Sequence, residues 1–158
     1  MTTQTLELDD LARTRDAHVA ALNANDADGW VACFAPGAVQ MPPNDPANVG
    51  AANIHAWSAG MLAAFNAEFA LDVEETQLAG ENWAFERGAY DITLTPKTGG
   101  EPIRDTGKYI TIYSRASDGQ WLMARDIWNS NNQPSPHLIS PHVHTDAPNT
   151  GAPASPRQ

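Results

Sequence analysis

Lys108–Asn132, KYITIYSRASDGQWLMARDIWNSNN, carries the strongest β signal in the chain. Its first arm alternates Tyr109, Thr111 and Tyr113 with Ile110 and Ile112, the period of two expected of a strand. Ser117-Asp118-Gly119-Gln120 supplies turn chemistry, and Trp121 to Trp128 returns with the same period, so the segment reads as a β-hairpin with two long arms. On the returning arm one face carries Leu122, Ala124, Asp126 and Trp128, and the other carries Trp121, Met123, Arg125 and Ile127. Each face mixes bulky apolar groups with one charge. A charge held among aromatics needs a partner, or it marks a pocket where a carboxylate meets a ligand.

Upstream the period is helical. Leu8, Leu11, Arg15, His18 and Leu22 recur three and four apart and predict a helix from Leu8 to Asn23, with Arg15 and His18 interrupting its apolar stripe. Asp26 or Asp28 can cap a short second helix holding Trp30, Val31, Cys33 and Phe34. Val39 to Met41 reads as a brief strand stopped by Pro42 and Pro43. A third helix follows, with Ile54, Trp57, Met61, Leu62 and Phe65 on one face. From Glu68 the period returns to two through Phe69, Leu71 and Val73, then Trp83 to Leu94, a turn at Pro96–Gly100, and the hairpin. Helices come first and an antiparallel meander follows, an α+β order.

A length of 158 residues favours one core, and a hydrophobic content of 42% marks a globular chain. The formal net charge of -10 argues against nucleic acid or an anionic membrane surface as partner. The polar, acidic start MTTQTLELDD has neither a basic region nor an apolar one, and no window reaches membrane-spanning length, so a cytoplasmic protein is expected. The single cysteine, Cys33, allows no internal disulfide and reads as a small buried hydrophobe. After Gln133 the composition shifts. Pro134, Pro136, Pro141, Pro148, Pro153 and Pro156 disfavour helix and sheet, so the expected organisation is a domain over 1–133 and a Pro-rich tail over 134–158. The tail holds His137, His142 and His144. With only Asp146 near that His-x-His pair, no metal site is expected there.

The run His18–Trp30, HVAALNANDADGW, followed by Phe34–Val39, FAPGAV, resembles the opening of the ketosteroid isomerase-like proteins. That superfamily also holds nuclear transport factor 2 and the SnoaL-type polyketide cyclases. Lys108–Asn132 resembles its SnoaL-like or DUF4440 branch, and the likeness spans about Leu8 to Gln133. The resemblance implies a cone: three N-terminal helices packed on a strongly curved antiparallel sheet, with an apolar cavity between them. It also implies a homodimer, which apolar residues on both faces of the long strands would join through the sheet's outer face. Carried over residue by residue, the isomerase's phenol, base and acid fall on His18, Pro42 and Thr111. Steroid isomerisation by that mechanism is therefore not expected.

By the same alignment Asp126, Trp128, Thr111 and Tyr113 face the cavity and His18 lies across from them. A His18–Asp126 pair, base and orienting carboxylate, is the expected catalytic unit. Trp30, Trp57, Glu86, Tyr109, Thr111, Tyr113 and Trp128 are the expected substrate-binding residues, suited to a planar or hydrophobic small molecule. The apolar register Tyr90, Ile92, Leu94 puts Glu86 inward, whereas the isomerase alignment puts Arg87 inward; a bulge near Gly88 would reconcile them. Asp126 also matches the last-strand acid of limonene-epoxide hydrolase. Arg104 and Asp105 are adjacent in sequence, so their side chains should point to opposite faces and leave that enzyme's remaining carboxylate unmatched. No phosphate loop, HExxH or CxxC pattern occurs, so no cofactor or tightly bound metal is expected. Two function classes follow: a cofactor-independent isomerase, cyclase, dehydratase or hydrolase, or a non-catalytic ligand-binding or dimeric interaction module.

Overall fold

The computed structural model of the chain describes residues 2–133. The expectations for the Pro-rich tail and its histidines lie outside the described residues. The elements run α1 (Thr3–Asn23), α2 (Ala27–Ala32), β1 (Phe34–Met41), β2 (Asn48–Val49), α3 (Ala51–Ala64), β3 (Phe65–Leu78), β4 (Trp83–Pro96), β5 (Ile103–Arg115) and β6 (Trp121–Ser130). The six strands form one sheet in the order β2-β1-β6-β5-β4-β3. The β3-β4-β5-β6 portion is the antiparallel meander that the sequence periodicity predicts, and the three helices pack against the sheet.

Local chemistry sets the helix ends. α1 begins five residues before Leu8, because the Thr2 side chain accepts from the Thr5 amide and supplies a cap there. Asp26 caps α2, its carboxylate accepting from the Gly29 amide at 2.9 Å. Phe65 leaves the face of the third helix: its backbone is extended, and it opens β3 four residues before Phe69. β3 is the sheet edge. Asn23 at the end of α1 occupies part of that edge, donating to the Phe69 carbonyl at 2.9 Å and accepting from the Phe69 amide at 2.7 Å.

β1 is longer than Val39–Met41, and it joins β6 in parallel. Its register shifts between Phe34 and Val39, where Pro36 offers no amide and Gly37 takes a φ of 71°. The pairing aligns Gln40 with Asp126. A second irregularity decides which residues of β6 point inward. Tyr113 pairs with Met123 but Ile112 pairs with Arg125, so Ala124 is an extra residue on β6. Strict alternation fails there: Trp121 and Met123 join Asp126 as buried residues, and Leu122 does not. A third shift, between Val73 and Glu75, leaves Glu74 as the extra residue on β3, opposite Gly88 and Arg87 of β4. The bulge is thus on the neighbouring strand; β4 keeps its alternation, Glu86 is fully buried and Arg87 is exposed, pairing with Glu74 and Glu75.

Leu11, Leu22, Ile54, Leu62, Trp121 and Met123 form the heart of the apolar core between helices and sheet. Burying a leucine of this kind stabilises by about 2 kcal/mol relative to leaving it in water. Thr14 fastens α1 to the sheet by donating to the Trp121 carbonyl, and Glu7 accepts from Arg115 at 3.0 Å.

Candidate active site

Between the helices and the concave side of the sheet lies a cavity of about 560 Å³. Of the residues named from sequence, His18, Trp30, Trp57, Tyr109, Thr111, Tyr113, Asp126 and Trp128 all line it. Glu86 does not. It points inward, but it lies behind the wall with no exposed surface, its carboxylate accepting from Arg15 at 2.9 Å, Thr76 at 3.1 Å and Tyr109 at 3.0 Å. A residue so enclosed supports the wall, and direct contact with a ligand is not its geometry.

The sheet wall is built by strand alternation. Tyr109, Thr111 and Tyr113 of β5 share a face, and the register sets Thr111 opposite Asp126. The Thr111 hydroxyl donates to Asp126 Oδ1 at 3.0 Å, the only side-chain hydrogen bond to that carboxyl among the described residues. Burial pushes the Asp126 carboxyl up to about 7, against a smaller opposing effect of the Thr111 bond. Burial also drives the Tyr113 phenol well above its ordinary range, so it remains a neutral hydroxyl.

On the helix wall, His18 is buried and packs against Trp30 with ring centroids 3.8 Å apart and planes tilted by 40°, with the Phe34 ring edge-on at 5.6 Å. Burial pushes its imidazole down to about 3, so His18 is neutral at physiological pH. Its Nδ1 has no partner, nor has the buried Trp30 Nε1. His18 and Asp126 face one cavity, yet no hydrogen bond joins them, because packing against Trp30 holds the one and Thr111 holds the other.

The mouth is formed by the Pro42–Asp45 loop, Trp57, Trp128 and the end of β6. Trp57 donates to Asp45 at 3.0 Å and meets Trp128 edge-on at 5.8 Å. Arg104 and Asp105 both reach this mouth despite being sequence neighbours. Asp105 accepts from Tyr90 at 2.8 Å, from Ser130 and from Asn132 at 2.9 Å, which fixes it as a rim support. Arg15 also lines the cavity; in the sequence it is a break in an apolar stripe, and its position one turn before His18 is the available sign that it shares the cavity face. Met61, Phe69, Leu71 and Ile92 belong to the rest of the apolar lining, and no pattern distinguishes them from ordinary core residues. Among the described residues no three potential ligands cluster to hold a metal ion. No described helix is long and apolar enough to cross a membrane.

Compared with known proteins, the chain matches a family model described as the SnoaL-like domain over residues 16–123. No curated protein matches it. Among solved structures it is similar to a ketosteroid isomerase-like protein from Erwinia carotovora atroseptica, with 23% identity and a TM-score of 0.74 over 80% of this chain and 98% of that one. A nuclear transport factor 2-like superfamily protein from Salmonella enterica serovar Typhimurium is 14% identical, with a TM-score of 0.72 over 85% of this chain and 96% of that one. A protein from Streptomyces avermitilis assigned as a dehydratase of the same family is 15% identical, with a TM-score of 0.71 over 82% of this chain and 99% of that one. At these identities the shared property is the fold.

Proposed function

The chain belongs to the SnoaL-like domain family, and from that premise we propose that it is a cofactor-independent enzyme acting on a hydrophobic or planar small molecule by general acid/base catalysis. The observation that carries this reading is Asp126: a carboxyl 6% exposed, on the floor of an apolar cavity, with a single side-chain hydrogen bond from Thr111. A carboxyl that only satisfied the fold would be paired with a cation or surrounded by donors, as Asp105 and Glu86 are. Asp126 has its second oxygen free to meet a ligand.

The roles differ from those of a base and its orienting carboxylate. His18 is neutral and makes no hydrogen bond to Asp126, so Asp126 is the proton carrier. At neutral pH it is part ionised and part protonated, able to accept a proton from one carbon or oxygen of the bound molecule and return it to another. His18 contributes an uncharged imidazole to binding and orientation. The Tyr113 hydroxyl is an uncommitted donor for an oxygen that gains negative charge. We further propose a homodimer through the convex side of the sheet, supported by Ile110 of β5, which is exposed there beside Ile127 of β6.

Solvent exchange at an activated C–H group tests the reading without knowledge of the natural substrate. Proton NMR of 2-tetralone in deuterated buffer should show exchange next to the carbonyl accelerated by the protein and lost in a folded Asp126→Asn variant. The second reading, a binding module, draws support from the absent His18–Asp126 hydrogen bond. It predicts that tetralone binds and is not exchanged, with Asp126→Asn altering affinity alone.

A further inference from the structure

The helix wall carries a cation that proton transfer by Asp126 does not use. Arg15 lines the cavity, its side chain 19% exposed. Its Nη1 donates to Glu86 at 2.9 Å and its Nε to Asp16 at 3.1 Å, and Nη2 has no partner among the described residues. Behind it, Glu86 is fixed in turn by Thr76 and Tyr109. A planar guanidinium tied to Glu86 through Nη1 and to Asp16 through Nε is fixed in direction and leaves Nη2 as its free donor.

A buried ion pair is a poor device for stability alone, since apolar residues of similar volume commonly do as well or better. Here the buried member, Glu86, lies behind the wall and the accessible member faces the cavity. That arrangement suits a positioned donor.

We propose that Arg15, held by Glu86, is the specificity-determining residue that anchors an oxygen of the bound molecule, and that this oxygen is an uncharged carbonyl-type acceptor. The inference rests on the small-molecule reading above and deepens it. Charge balance selects the class. Glu86 already matches the positive charge of Arg15, so a carboxylate ligand would bring an unmatched negative charge into an apolar cavity that also holds Asp126. A neutral carbonyl needs only the donor.

Three naphthalenes of matched size test this by calorimetric titration of the full chain at pH 8: 2-acetonaphthone, 2-ethylnaphthalene and 2-naphthoate. The ketone should bind about tenfold more tightly than the hydrocarbon, the ratio expected for one hydrogen bond from a charged donor. The carboxylate should bind more weakly than the ketone. Arg15→Lys keeps a cation for Glu86 but lacks the guanidinium's fixed Nη2 donor, so it should bring the ketone to the hydrocarbon's affinity and leave the hydrocarbon unchanged. Should Arg15→Lys unfold, the Arg15→Met, Glu86→Leu double variant removes both charges together and should show the same loss of preference. The carbonyl stretch of bound acetonaphthone should move to lower wavenumber in the wild type and not in either variant. Equal binding of ketone and hydrocarbon, tightest binding of the carboxylate, or an unchanged preference in the variants overturns the anchor and leaves the cavity reading standing. Binding of none of the three overturns both.

Discussion

Replacing Asp126 by asparagine should stabilise the protein at alkaline pH and not at acid pH. The ordinary value of the carboxyl is 3.8 and its value in the folded chain is about 7. Between those two pH values the native state holds a proton that the unfolded chain has released, so stability falls as pH rises through that window. At ~1.4 kcal/mol per pH unit, a gap of roughly three units amounts to about 4 kcal/mol at pH 8. Asparagine keeps an oxygen able to accept from Thr111 and never ionises. His18 works with the opposite sign. Its value falls from 6.5 to about 3, so its contribution is present above pH 6.5 and is lost as pH falls toward 3. In the wild type the two slopes oppose each other from about pH 4 to 6.5, and removing Asp126 exposes the His18 limb. Urea denaturation followed by circular dichroism, for both proteins from pH 4 to 8, gives the difference directly, since all other groups are shared. The variant should be more stable by about 2 to 4 kcal/mol at pH 8, with the difference shrinking to below about 1 kcal/mol at pH 4. A difference independent of pH, or a variant less stable at pH 8, would mean that burial does not raise the Asp126 carboxyl.

Glu86→Gln leaves Arg15 without its buried anion, with only the exposed Asp16 in reach, and one donor of the cluster without an ideal acceptor, so thermal denaturation should show a loss of about 3 kcal/mol. An unchanged melting temperature would mean that water replaces the carboxylate without penalty. Gly107→Ala places a Cβ 2.1 Å from the Asn129 carbonyl oxygen and 2.5 Å from the Tyr90 ring, contacts that no rotamer relieves. Chemical denaturation should report a loss above about 3 kcal/mol, the scale of forced overpacking. Light scattering at micromolar concentration should give a dimer that Ile110→Lys dissociates; a 17.0 kDa species for the wild type would exclude the proposed interface.

The order of elements and the inward face of β5 were legible because both rest on periodicity, which survives without tertiary knowledge. The parallel pairing of β1 with β6 was not: it is a contact between strands about 80 residues apart, with nothing local to announce it. Bulges were the other blind spot. The extra residue at Ala124 breaks the alternation that assigned Leu122 to the face of Asp126, and the one at Glu74 adjusts β3 so that β4 need not. The cavity's chemical residues were mostly visible as polar groups in apolar surroundings, His18 and Asp126 above all. Their separation was not, because whether two inward residues touch depends on what each already holds: Trp30 for one and Thr111 for the other. Glu86 illustrates the same limit, inward by alternation and yet enclosed behind Arg15 and Tyr109.

The central claim is that Asp126 carries a proton near neutrality inside the cavity. Carbon-13 NMR of carboxyl-labelled protein, with the Asp126 signal assigned by its loss in Asp126→Asn, tests it directly. This resonance should titrate with a midpoint near pH 7, set by burial in the apolar cavity. A midpoint near the ordinary value of 3.8 would contradict it, because Asp126 would then be a fully ionised group at neutral pH with no proton to exchange.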